Sequence, residues 1–171
     1  FSTVNAVHKS AQDLDTLSGY WEARLVDAWR SRLTLAQGSD YRTDTLNGNL
    51  ASRSNTRNRQ LIWDNRFAVA TGHEVSVGIE SLKQHLVNSG LARPTYHRDA
   101  STLRLGYLGS VGAHSLQFNA RSESYSDFGA ANTHFAGYGY ALSEDWKLIA
   151  STSTAFRAPT FVDLFGFGIA A

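Results

Sequence analysis

Apolar and polar residues alternate with period two along almost the whole chain, in runs of ten residues or more. That pattern is the signature of extended strands with two unlike faces. In "STLRLGYLGSV", Leu103, Leu105 and Tyr107 share one face, and Arg104, Gly106 and Leu108 the other. In "HSLQFNARSE", Leu116, Phe118 and Ala120 oppose Gln117, Asn119 and Arg121. "RQLIWDNRFAV" sets Leu61, Trp63, Phe67 and Val69 against Asp64 and Arg66, with Asn65 an intruder on the apolar side. The alternation predicts nine strands, at about 1–9, 17–26, 30–41, 56–70, 73–86, 99–110, 114–125, 132–142 and 146–157.

The predicted strands are long. Soluble sheets favour strands of ~5–6 residues, whereas a tilted strand that crosses a bilayer needs ~9–11. The connections also alternate in length. Short ones fall at "VDAWR", "ATGH", "SVGAH" and "LSEDW"; long polar ones fall at "DYRTDTLNGNLASRSNT", "VNSGLARPTYHRD" and "SYSDFGAAN". Tight turns at one end and long loops at the other describe an up-and-down barrel of an outer membrane.

A soluble sandwich or lipocalin-like barrel would need a second apolar face for its dry core. The second face instead carries Arg32, Arg66, Arg104, Arg121 and Arg157, and arginine seldom fills a dry interior. It suits a wide, wet or plugged lumen. Charged residues make up 18% of the 171 and aromatics 12%. The aromatics, among them Trp21, Trp29, Trp63, Trp146, Tyr107, Tyr138 and Tyr140, sit near strand ends or on apolar faces, as interfacial girdles require.

Other classes drop out by composition. No window approaches the ~18 unbroken apolar residues of a membrane helix. There is no cysteine, so disulfides, zinc–thiolate sites and cysteine nucleophiles are absent. A net charge of +1 makes no electrostatic case for nucleic acid as a partner. None of the six histidines forms an HExxH motif. His73 and His114 fall in expected turns, and "GHEVSVGIE" lacks the G-x-S-x-G elbow of a serine hydrolase. The chain is not expected to be an enzyme.

"SEDWKLIASTSTAFRAPTFVDLFG" closely resembles a segment of TonB-dependent outer-membrane receptors, in which such a strand ends in an "FRAPTF" signature and enters an outer loop. "DAWRSRLTLAQGSDYRTDT", "TRNRQLIWDNRFAVATGHEVSVGIE", "GAHSLQFNARSESYSDFG" and "GYGYALSEDWKLIAS" look like strands of the vitamin B12 (cobalamin) branch. The similarity runs from about Leu17 to Phe167. The resemblance implies an all-β, antiparallel, up-and-down transmembrane barrel of 22 strands with a plug domain, of which about eight or nine strands lie in this chain. Residues 1–171 would then be one portion of a single barrel domain, with plug and remaining strands elsewhere. It further implies the outer membrane of a Gram-negative bacterium, uptake of cobalamin or a similar bulky ligand, and coupling to the TonB complex through the plug. A ferric siderophore or haem receptor of the same superfamily is the alternative, and a small structural or adhesive eight-stranded barrel is a further one.

Site residues follow from this frame. Ligand contacts are expected from the outer loops and upper lumen, where Tyr41, Arg42, Tyr96, Tyr125 and Phe128 are the aromatic and cationic candidates. Arg66, Arg104, Arg121 and Arg157 are expected to face the lumen and plug, with Arg157 a plug-docking or loop-anchoring residue. Asp13 and Asp15 in "AQDLDT" are placed in an outer loop, where two carboxylates two apart could contribute to a Ca²⁺ site; Asp40 and Asp44 form a similar pair. Neither pair supplies the six or more oxygens that calcium takes, so no resident metal or cofactor is expected.

Overall fold

In the computed structural model, residues 6–89 and 95–165 are described. They form one antiparallel sheet of eight strands in strict chain order. The strands are β1 (His8–Val26), β2 (Trp29–Leu46), β3 (Asn49–Ala70), β4 (His73–Asn88), β5 (Thr95–Val111), β6 (His114–Tyr125), β7 (Gly129–Ala141) and β8 (Lys147–Ser153). A one-turn helix, α1 (Phe161–Phe165), follows. Every strand pairs only with its neighbours in sequence, so β1 and β8 are edges among the described residues.

Three of the four short connections are two-residue turns, at 27–28, 71–72 and 112–113, the fourth is a five-residue bend at 142–146, and β6 spans the expected 114–125. The outer end differs from expectation. The expected 1–9 and 17–26 strands are one continuous β1, so Asp13 and Asp15 lie within a ladder, opposite Tyr41 and Ser39. The first long link is no loop at all. β2 and β3 run on through it and meet at Asn47 and Gly48, whose φ values of 51° and 82° are those of a type I′ hairpin turn. Asn47 also accepts the Val7 N–H at 2.9 Å on its side-chain oxygen. Polar side chains do not end a strand whose both faces are wetted, because the ladder satisfies the backbone regardless. The third link shrinks to residues 126–128. β8 stops at Ser153, four residues short of the expected end. The start of the expected 1–9 strand, residues 90–94 of the second long link, and Phe167 lie outside the described residues.

Side chains of directly paired residues share a face. Trp21, Leu33, Trp63, Ile79 and Leu103 are successive partners across β1 to β5, and all are exposed. The band continues on β6 to β8 through Leu116, Phe118, Tyr138 and Leu148, also exposed. On β3 it runs from Leu61 to Val69, which is about 26 Å at ~3.3 Å per residue. An open apolar band of that length along a strand resembles the outer surface of a membrane barrel.

The opposite face is polar. One row reads Glu22, Arg32, Asp64, Gly78, Arg104, Arg121 and Thr133 from β1 to β7. There is no conventional core among the described residues. The buried hydrophobic residues are Leu86, Tyr96, Ala100 and Phe161, all on the polar side towards the looped end.

Candidate functional site

β5 organises the looped end of the polar face. From Thr95 to Thr102 its residues alternate between exposed and buried, with Tyr96, Arg98, Ala100 and Thr102 buried. Two segments bury them: the 126–128 turn, and the stretch that follows β8 and ends in α1. Arg98 is only 4% exposed. Its Nε donates to both carboxylate oxygens of Asp127, at 2.9 and 2.8 Å, and its Nη2 lies 2.7 Å from Oδ2. Nε thus makes a bifurcated bond to the carboxylate, while Nη2, though close, is not aligned for a hydrogen bond; the direct pairing of opposite charges is what makes their burial tolerable.

Aromatic rings enclose this pair. The guanidinium carbon lies 4.6 Å from the Phe161 ring centre and 5.0 Å from that of Phe128. Phe128 stacks on Tyr125 at 4.3 Å, and Tyr96 stacks on Phe165 at 4.4 Å. Phe156 closes the far side, 6.1 Å from Phe128. A delocalised cation between ring faces gains from their quadrupoles most when water is excluded.

Local chemistry shapes the covering segment. Pro159 cannot donate to a ladder and ends the extended stretch before Thr160. Thr160 and Asp163 form a reciprocal cap: the Thr160 N–H donates to Asp163 Oδ2 at 2.7 Å, and the Asp163 N–H donates to Thr160 Oγ1 at 3.1 Å. The backbone and hydroxyl of Thr160, with Arg157 nearby, hold the Asp163 carboxyl below the usual range. The single turn so started aims Phe161 and Phe165 at Tyr96.

Further along the polar face lies a basin of about 460 Å³, walled by Asp64, Arg66, Arg104 and Arg121 and floored by Gly78. Arg104 Nη2 reaches Asp64 at 3.0 Å across the intervening strand. This is feasible because Gly78 stands between them: a β-carbon there would lie 2.5 Å from Asp64 Oδ1. Arg121 pairs with Glu123 at 2.6 Å, and Glu123 also accepts the Tyr125 hydroxyl at 2.8 Å. Arg104 and Arg121 are each matched by a carboxylate, which leaves Arg66 as the one of the three guanidinium groups without an ion pair among the described residues.

The expected site residues divide. Tyr125 and Phe128 face Arg98, and Tyr96 joins them through the Phe161 ring. Tyr41 and Arg42 fall on opposite faces of the projecting β2–β3 hairpin; Arg42 is paired with Asp44 at 3.0 Å. The Ser10 hydroxyl, Arg42 and Ser52 together hold the Asp44 carboxyl below its usual range. Arg66, Arg104 and Arg121 share the polar face as expected. Arg157 does not extend that row, because β8 has already ended; it lies in coil, 80% exposed, 3.4 Å from Asp163. His73 and His114 begin strands rather than occupying turns, and they contact the Tyr107 and Tyr138 hydroxyls at 2.7 and 2.6 Å. Sequence reading missed Arg98, Asp127, Glu123 and Phe161. For Arg98 the signal was available: it sits in phase with Tyr96, Ala100 and Thr102 on the face opposite His97 and Asp99.

No family model matches the chain. Curated relatives do. The chain is 24% identical over 139 residues to the vitamin B12 transporter BtuB of Photobacterium profundum, a match covering 81% of this chain and 23% of that protein. It is 26% identical over 148 residues to the vitamin B12 transporter BtuB of Vibrio vulnificus, covering 81% of this chain and 24% of that one. The chain thus spans about a quarter of the relatives it matches. Among solved structures, the siderophore receptor PirA from Pseudomonas aeruginosa superposes with a TM-score of 0.64 at 15% identity, covering 88% of this chain and 34% of that chain. These similar proteins are transporters and receptors, not enzymes, and both comparisons agree with the TonB-dependent receptor resemblance in the sequence.

Proposed function

We propose that this chain is a stretch of barrel wall in a TonB-dependent outer-membrane transporter, and that the whole protein takes up cobalamin. The observation that carries this reading is the match to vitamin B12 transporters across 81% of the chain. The two-faced sheet supports it: an apolar band faces lipid, and the polar face with its arginines lines a lumen that receives a plug. The plug couples the barrel to the TonB complex, which supplies the energy. The free ladder edges of β1 and β8 pair with further strands, since hydrocarbon does not tolerate unpaired backbone.

A ferric siderophore is the second reading, favoured by the solved siderophore receptor of the same fold and by the Arg66 guanidinium on the basin wall. The two are separated by ligand binding to outer-membrane vesicles carrying the full-length protein. Saturable binding of cyanocobalamin, undiminished by ferric siderophores, is the expected result. Binding of a ferric siderophore with no retention of cyanocobalamin would select the second reading. Absence of the protein from the outer-membrane fraction would overturn both.

A further inference from the structure

The apolar face changes character abruptly just beyond the leucine band, towards the looped end. Leu35 and Leu61 are paired partners within the band; two residues further on, Gln37, Arg59 and Lys83 are paired in their place. Arg59 on β3 and Lys83 on β4 stand directly opposite each other and are both exposed. Arg57, two residues from Arg59 on the same face, is exposed as well. Like charges directly opposite on a sheet destabilise the pairing. Neither Arg59 nor Lys83 has an ion pair within 4.0 Å among the described residues; the one carboxylate in their row, Asp99 across from Lys83, does not reach it.

Beneath these cations the surface is grooved. A groove of about 520 Å³ runs between Leu17, Leu35 and Leu61, with Gly19 at its floor and Arg59 and Lys83 at its rim. It adjoins a second groove of about 690 Å³ that shares Leu61 and Ser81 and continues past Leu33, Trp63 and Leu103. A cationic rim above a continuous apolar channel, at the edge of a band of bilayer height, is complementary to one class of molecule.

We propose that this face is a binding site for a phosphate-bearing membrane lipid, with the phosphate held between Arg59 and Lys83 and an acyl chain laid along the leucine groove. The site rests on the outer-membrane reading above, since it needs the apolar band to face lipid. The bound phosphate relieves the Arg59–Lys83 repulsion, so the lipid also fastens β3 to β4. Basic clusters at the membrane boundary gain affinity for anionic headgroups in just this position.

The test is native mass spectrometry of the full-length protein, extracted from outer membranes in mild detergent and stripped of lipid. Three probes are added in turn: dimyristoyl phosphatidic acid, dimyristoylglycerol with the same chains and no phosphate, and inorganic phosphate. Phosphatidic acid adducts are expected on the wild type, reduced about tenfold or more in the double variant Arg59→Gln/Lys83→Gln. The charge-keeping Arg59→Lys and the opposite-face control Arg30→Gln should both retain them, which separates loss of the site from loss of the fold. Equal adducts in the double variant and wild type would overturn the proposal, as would dimyristoylglycerol binding as well as phosphatidic acid. Inorganic phosphate displacing the lipid at equal concentration would show an anion site without an acyl groove, and would overturn it too. A protein that never partitions with the outer membrane would instead defeat the functional reading before this one is reached.

Discussion

Trp29 donates its indole N–H to the side-chain oxygen of Asn65 at 2.9 Å, diagonally across the β2–β3 ladder. A second bond mirrors it: the Trp63 indole donates to Ser31 Oγ at 2.9 Å. Ser31 and Asn65 are themselves direct partners, and both are buried although they belong to the apolar face. Two polar residues in the middle of the apolar band are thereby covered by two indoles, whose own N–H groups are satisfied in return. Asn65→Leu should leave the Trp29 N–H without its acceptor and cost about 1–2 kcal/mol. Adding Trp29→Phe to Asn65→Leu should recover most of that loss. Urea titrations of the refolded full-length protein in detergent would read both, and a strictly additive double variant would contradict the pairing.

Arg98 and Asp127 should behave as a unit. Their side chains are 5% and 11% exposed, so removing either partner strands a buried charge. Arg98→Ala or Asp127→Ala is expected to cost about 3–5 kcal/mol. The double replacement Arg98→Met/Asp127→Ala should cost clearly less than the sum of the singles. Limited proteolysis of the looped end would show the same order, with the single variants cut fastest in the 154–165 stretch.

The Thr160–Asp163 cap makes α1 sensitive to acid. Because the folded Asp163 carboxyl titrates below the ordinary value of about 3.9, its contribution is fully present above that pH. It fades as pH falls through the folded value, when the protonated, uncharged carboxyl accepts from the Thr160 N–H more weakly. A carboxyl-selective NMR titration should place Asp163 below the unstructured value. Thr160→Ala should move it back towards that value, because one of the two Thr160 donors is gone.

Gly78 is where a small residue is required by a neighbour rather than by its own backbone. Gly78→Ala would put a methyl group 2.5 Å from Asp64 Oδ1 and 3.2 Å from Arg104 Nε. The Asp64–Arg104 bridge must then open. A loss of about 1–3 kcal/mol is expected, together with a longer Asp64–Arg104 separation in a crystal structure of the variant. An unchanged 3.0 Å bridge would show that the strand can shift to accommodate the methyl.

The strands were readable in the sequence wherever one face meets an apolar medium, because only there does composition mark the pleat. Leu103, Leu105 and Tyr107 alternate with Arg104 and Gly106, and the expected 99–110 strand is there, although β5 starts four residues earlier, at Thr95. The projecting hairpin was not readable by the same rule: from Ser39 to Thr56 both faces are polar, so period two carries no contrast. Its Asn47–Gly48 turn was the legible sign, and it lay inside what looked like a loop. The common face of Arg66, Arg104 and Arg121 followed from strand phase alone, whereas Arg157 fell beyond the end of β8. The enclosure around Arg98 did not, because it depends on α1 and the 126–128 turn closing over β5, which are non-local contacts no local pattern encodes. Tyr96, Tyr125 and Phe128 were found as aromatics near loops, but their common centre was visible only in three dimensions.

Strict neighbour-to-neighbour pairing has a mechanical consequence. Among the described residues no strand is clamped by one distant in sequence, so pulling on the two ends of this segment would meet no shared interlock. The sheet should peel from its margins, giving up one hairpin per rupture, and the long β2–β3 pair should resist as the stiffest single step.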